Sequence, residues 1–142
     1  LAIGEVVGAL TALHPLQSQV GETVRIYYGV GGPHFTSAFH VIGEIFDRVY
    51  DQASLTAPPL TDVQTTLVPP GGATMVEFKV DVPGRYILVD HALSRLQRGL
   101  AGFLVVEGPE QPEIIKTAGN QPPLCIELTH PKTKAGFVRR GA

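Results

Sequence analysis

The sequence predicts an all-β fold, an antiparallel sandwich of seven or eight strands between residues 6 and 108, and three observations predict it. Short runs rich in β-branched and aromatic residues recur along this stretch, each bounded by glycine or proline. Within them apolar and polar residues alternate, as they do in strands with one face in a core and the other in water. The best helical candidate, Leu93 to Leu100, is only one or two turns long.

The elements follow in chain order. Val24–Tyr28 comes after the turn signal Gly21-Glu22, and Phe39–Ile42 after Gly31-Gly32-Pro33. Gln64–Val68 runs into Pro69-Pro70-Gly71-Gly72, a sequence that extends no strand. Thr74–Val80 alternates most clearly: Val76, Phe78 and Val80 are assigned to the core, and Glu77, Lys79 and Asp81 to water. Tyr86–Val89 follows Pro83-Gly84, and Gly102–Glu107 closes the sandwich. In the short helix, Leu93, Leu96 and Leu100 repeat at three and four, with Gly99 or Gly102 as its stop. The expected core is Val24, Ile26, Phe39, Val41, Val76, Phe78, Val80, Ile87, Val89 and Leu104. After Gly108 prolines scatter among charges and no period survives, so residues 1–112 read as one domain and 113–142 as an extended or disordered arm.

Composition narrows the function. Eleven basic residues against 13 acidic ones give a net charge of −2, and no basic stripe interleaves with aromatics, which argues against nucleic acid as a partner. The single cysteine, Cys125, forms no intrachain disulfide and leaves the redox compartment open. No apolar run approaches the roughly 18 residues of a membrane span, and the N-terminus lacks the basic segment of a signal peptide. Glycines 29, 31 and 32 do not make a phosphate loop, because no Lys-Ser/Thr follows and no helix opens there.

Two phrases go further. Val20-Gly21-Glu22-Thr23-Val24-Arg25-Ile26 leads through Gly31-Gly32-Pro33 to Phe39-His40-Val41-Ile42-Gly43; Val68-Pro69-Pro70-Gly71-Gly72-Ala73-Thr74 leads through Pro83-Gly84-Arg85-Tyr86 to Val89-Asp90-His91-Ala92-Leu93. Together they resemble a cupredoxin, and more narrowly the second, C-terminal cupredoxin domain of copper-containing nitrite reductases, from about Val7 to Ile115. The resemblance implies a cupredoxin-like Greek-key sandwich with one short helix in the loop after His91.

A blue (type 1) copper site needs a thiolate, two imidazoles and usually a thioether, gathered on the loop before the last strand. Here that loop, Asp90 to Ala101, contains neither cysteine nor methionine, so no type 1 site is expected within this chain. Cys125 and His130 stand in the right order but after the closing strand. Taken alone, His91 reads as a loop histidine at the rim of a sheet. The resemblance implies more: the matching histidine ligates the type 2 copper across a subunit boundary, while the other two histidine ligands and a catalytic aspartate belong to the first domain of the adjacent subunit. His40, alone on an apolar strand, reads as a partly buried structural residue. The family gives its counterpart a place beside bound nitrite, where it delivers protons.

Reducing nitrite to nitric oxide consumes one electron and two protons and releases water, so a group titrating near neutrality fits that place. Ile42, two residues on and on the same strand face, matches the apolar side chain that restricts how nitrite sits. Thr66, with Thr65 the neighbouring candidate, matches a hydroxyl that orients the histidine. The resemblance also implies a homotrimer, nitrite as substrate, a partner first domain or chain, and a periplasmic or extracellular setting. His14 and His34, each beside a proline, read as solvated turn residues, and Arg95 and Arg98 as surface charge. A protein of another class stays open: a copper-free, trimerising or binding module that keeps the sandwich without catalysis.

Overall fold

The computed structural model of the chain describes residues 9–114. Two sheets pack face to face: a five-stranded sheet in the order β1-β9-β8-β3-β6 and a four-stranded sheet in the order β2-β7-β4-β5. The strands are β1 (Leu16–Gln19), β2 (Thr23–Gly29), β3 (Ser37–Ile42), β4 (Phe46–Tyr50), β5 (Leu60–Val63), β6 (Thr66–Val68), β7 (Ala73–Lys79), β8 (Gly84–Asp90) and β9 (Ala101–Glu107). This is a cupredoxin-like β-sandwich. Each expected run contains a strand, although Gln64 and Thr65 precede β6 and Val80 follows β7, and the strands number nine among the described residues rather than seven or eight. The strands that none of the six named runs covers, β1, β4 and β5, have weak signals: β1 and β5 are four-residue strands at sheet edges, and β4 is interrupted by Asp47 and Arg48. β1 pairs in parallel with β9, whereas every other pair is antiparallel.

Alternation places the core between the sheets. Phe39 and Val41 from β3, Val76 and Phe78 from β7, and Tyr86 and Leu88 from β8 are all buried there. Four rings form a continuous ladder across it: Tyr28 stacks on Phe39 with centroids 4.2 Å apart, Phe39 on Phe46 at 5.7 Å, and Phe46 tilts against Phe78 at 5.8 Å. Of the ten residues expected in the core, eight are buried. Val24, on edge strand β2, and Ile87, on the outer face of the five-stranded sheet, are only half-buried.

One assignment is corrected. Glu77, expected in water, is buried although it points outward from β7. Cross-strand register sets it opposite Arg25 on one side and Arg48 on the other, and both guanidinium groups fold over its carboxylate. The Arg25 hydrogen bond, the largest effect, holds the Glu77 carboxyl below the usual carboxylate range against the upward push of burial.

The helix after His91 is a single turn, α1 (Leu93–Leu96), shorter than the expected Leu93–Leu100. Gly99, at φ +92°, ends it. The Leu100 N–H reaches the Arg95 carbonyl at 3.0 Å and the Gly99 N–H the Leu96 carbonyl at 2.9 Å, a Schellman closure that needs a left-handed residue at 99. At the other end of the described chain a π-helical turn, Ala9–Leu13, lays Leu10 over Gly102 of β9; a Cβ at 102 would stand 3.2 Å from Leu10. From residue 115 on, the expected arm, with Cys125 and His130, lies outside the described residues.

Candidate functional site

The site is built on two neighbouring strands of the five-stranded sheet. In the β3–β8 register His40 faces Val89 and Phe39 faces Asp90. Side chains alternate along both strands, so His40 and Ile42 on β3, and Val89 and His91 on and just after β8, share the outer face. Phe39, Val41, Leu88 and Asp90 share the inner one. The His91 N–H donates to the Ala38 carbonyl at 2.8 Å, extending the ladder one residue past the strand. The two imidazoles, 51 positions apart in sequence, thus come to 5.4 Å between centroids with their planes tilted by 42°.

Their environments differ. His91 is exposed, whereas His40 is 7% exposed. The His40 ring is held by its Nδ1, 2.5 Å from the Gln64 carbonyl oxygen. A carbonyl only accepts, so Nδ1 carries the proton and the neutral ring presents its lone pair at Nε2. Burial, chiefly, and the neighbouring His91 push the His40 pKa below the usual imidazole value, while the Gln64 bond opposes them. A ring so placed is mostly neutral at neutral pH and, once protonated, gives its proton up readily.

Thr66 is buried, and it pairs with Phe39 rather than His40 in the β3–β6 register. The group that meets the His40 ring is the Gln64 main chain; Thr65 is exposed. A backbone carbonyl has no side-chain signature, which is why the sequence did not point to it. Ile42 stands half-buried on the face it was expected to share with His40. His14 and His34 are both exposed.

The residue before His91 is also part of the site. Asp90 is 1% exposed, and its carboxylate accepts from Ser37 Oγ (2.8 Å), the Ala92 N–H (3.0 Å), the Ala38 N–H (3.4 Å) and Arg95 through Nε (2.8 Å) and Nη2 (3.0 Å). Because the Ser37 proton goes to Asp90, it is the Tyr28 hydroxyl that donates to Ser37 Oγ, at 2.7 Å. Burial pushes the Asp90 pKa up, but Arg95 and the other donors together outweigh it and hold the carboxyl below its ordinary range. Arg95 is thus no loose surface charge. Its Nη2 also donates to the Thr36 carbonyl at 2.9 Å, and its guanidinium lies 5.7 Å from the Phe35 ring centre. The sequence held one signal for Asp90: continuing the alternation of Tyr86 and Leu88 puts it on the core face.

As a metal site the described residues are incomplete. Among them no cluster of three histidine, cysteine, aspartate or glutamate side chains could hold an ion. His91, exposed at the sheet rim on a fixed backbone, fits the part of one imidazole ligand in a set completed from elsewhere.

Comparison with known proteins gives a consistent picture. A family model described as multicopper oxidase matches residues 11–110. The copper-containing nitrite reductase of Neisseria meningitidis serogroup A is 52% identical over 110 residues, which are 77% of this chain and 28% of that protein. Two solved structures share the fold. The copper nitrite reductase of Nitrosomonas europaea is 30% identical at a TM-score of 0.62, covering 78% of this chain and 37% of that one. The copper-containing nitrite reductase of Thermus scotoductus is 32% identical at a TM-score of 0.63, covering 68% and 23%. The chain therefore spans less than two-fifths of the length of each of these relatives.

Proposed function

This chain belongs to the multicopper oxidase family, and on that premise we propose that it is the C-terminal cupredoxin domain of a copper-dependent nitrite reductase, supplying one histidine ligand and one proton-delivery histidine to a site shared between subunits. The observation that carries the reading is the pair of imidazoles on one outer face, 5.4 Å apart, one exposed and one buried with its tautomer set by Gln64. His91 fits the ligand and His40 the proton carrier.

Copper, when bound, supplies the electron and a Lewis-acidic seat for the anion. The remaining work falls to this chain and its partners. His91 offers an imidazole from a rim whose backbone is fixed by the Ala38 hydrogen bond. His40 keeps Nδ1 on Gln64 and uses Nε2 to take a proton and pass it toward the departing nitrite oxygen. Ile42, beside it on the same face, limits the poses open to a small anion. One imidazole ligand falls short of a usual catalytic ligand set, and in this reading a first cupredoxin domain and a neighbouring subunit in a homotrimer complete it. Denitrification in the periplasm, or an extracellular setting, is the biological role that goes with this chemistry.

The test compares copper content with turnover in the complete protein. His91→Ala should lose the type 2 copper, because a three-histidine site deprived of one ligand loses affinity and geometry together. His40→Ala should keep that copper and slow nitrite reduction by about 10²–10⁴-fold, the range for loss of a positioned proton donor. Equal copper loss in both variants, or full activity in His40→Ala, refutes the division of roles. A complete protein that binds no copper returns the chain to the alternative, a copper-free trimerising or binding module.

A further inference from the structure

We propose that Asp90 and Arg95 are positioning residues for His91: their partly buried ion pair, anchored to the opposite sheet through Ser37 and Tyr28, sets the backbone from which the imidazole reaches the metal. The proposal rests on the reading of His91 as a copper ligand. His91 is exposed, so packing does little to fix where its ring stands. Its backbone, in contrast, is tied on both sides. The His91 N–H is taken by Ala38, and the Asp90 carboxylate reaches over His91 to the Ala92 N–H at 3.0 Å, a side-chain turn that spans the histidine.

The same carboxylate draws in Arg95 from the helical turn and Ser37 from β3, and Arg95 ties that turn back to Thr36. Tyr28, on a strand of the four-stranded sheet, holds Ser37 through its hydroxyl. A continuous set of hydrogen bonds therefore runs from the opposite sheet to the two residues flanking His91. Stability alone does not explain such a device. A buried ion pair is often no more stabilising than apolar residues of the same volume, whereas fixing a single arrangement is its better-attested use. Partners that orient a metal ligand typically change metal affinity by about 10–100-fold when removed.

The experiment uses the complete copper-loaded protein and the variants Asp90→Ala, Asp90→Asn, Arg95→Gln and His91→Ala, with copper affinity and the electron paramagnetic resonance spectrum of the type 2 copper as readouts beside thermal unfolding. Asp90→Ala should weaken copper binding by about 10–100-fold and shift the hyperfine splitting of the copper that remains. Asp90→Asn keeps an oxygen for the Ala92 N–H but loses the ion pair, and should fall between Asp90→Ala and the parent in both; behaviour identical to the parent removes the ion pair from the proposal. Arg95→Gln, at a partly exposed position, should fold even if Asp90→Ala does not, and should show the same spectral shift to a smaller degree. Wild-type affinity and spectrum in Asp90→Ala or Arg95→Gln, with only the unfolding temperature lowered, would overturn the proposal and leave His91 as ligand, provided His91→Ala loses its copper. Copper retained in His91→Ala overturns both readings.

Discussion

Truncating Phe39 tests whether the aromatic ladder is the structural centre of this domain. The ring is 0% exposed and has a ring neighbour on each side, Tyr28 at 4.2 Å and Phe46 at 5.7 Å. Removing a buried phenylalanine to alanine costs about 3–5 kcal/mol in lost transfer energy and cavity formation. Each aromatic pair adds about 0.5–1.5 kcal/mol beyond the buried area, so two pairs place Phe39→Ala near the top of that range, about 5 kcal/mol. Phe78 is equally buried but has one ring neighbour, Phe46, among the described residues, which places Phe78→Ala about 1 kcal/mol lower. Against the roughly 5–15 kcal/mol that holds a domain folded, the Phe39 variant should be close to unfolding at ambient temperature. Urea denaturation followed by far-ultraviolet circular dichroism, with the slope of the transition shared among variants, measures each loss. Leu55→Ala, at a side chain 73% exposed, should stay within about 0.5 kcal/mol of the parent and serves as the control. A loss below about 2 kcal/mol for Phe39→Ala, or one smaller than for Phe78→Ala, refutes the ladder as the centre of the core.

Two further outcomes follow from the fold. Because Glu77 is held below its ordinary 4.5 in the native state, chiefly by the Arg25 hydrogen bond, the stability it contributes is complete above about that pH and is lost as pH falls through the lower native value. Glu77→Gln should therefore cost about 1 kcal/mol at pH 7, a charge-assisted bond discounted for arginine side chains that are 53% and 59% exposed, and parent and variant should converge in acid; a constant offset down to pH 2 contradicts the assignment. Gly99→Ala meets no atom within 4 Å, so its cost is that of holding a left-handed backbone without glycine, about 1–2 kcal/mol. Hydrogen exchange should show that loss as faster exchange at the Gly99 and Leu100 amides, and unchanged exchange there removes the Schellman closure as the reason for the short helix.

The sequence by itself determined what depends on near neighbours along the chain. A period of two in β3, β7 and β8, with glycine and proline between the runs, identified the strands and put Phe39 and Val41 in the core opposite His40, because side chains in a strand point to alternate faces whatever the strand pairs with. The short edge strands β1 and β5 carry too few residues to show a period. What a residue meets across the sheet is a matter of register, and register joins positions far apart: Glu77 lies 52 residues from Arg25 and 29 from Arg48, and their convergence turned an apparently wet glutamate into a buried one. The candidate site divides the same way. His40 and His91 were legible as titratable rings at suggestive places, but only the β3–β8 pairing brings them to 5.4 Å, and only the path of the chain past β5 turns the Gln64 carbonyl onto His40. Asp90 and Arg95 were legible as a charge beside a histidine and a charge on a turn; that they form a partly buried pair depends on Ser37, Thr36 and the backbone of β3, groups whose meeting is set by tertiary packing rather than by local sequence.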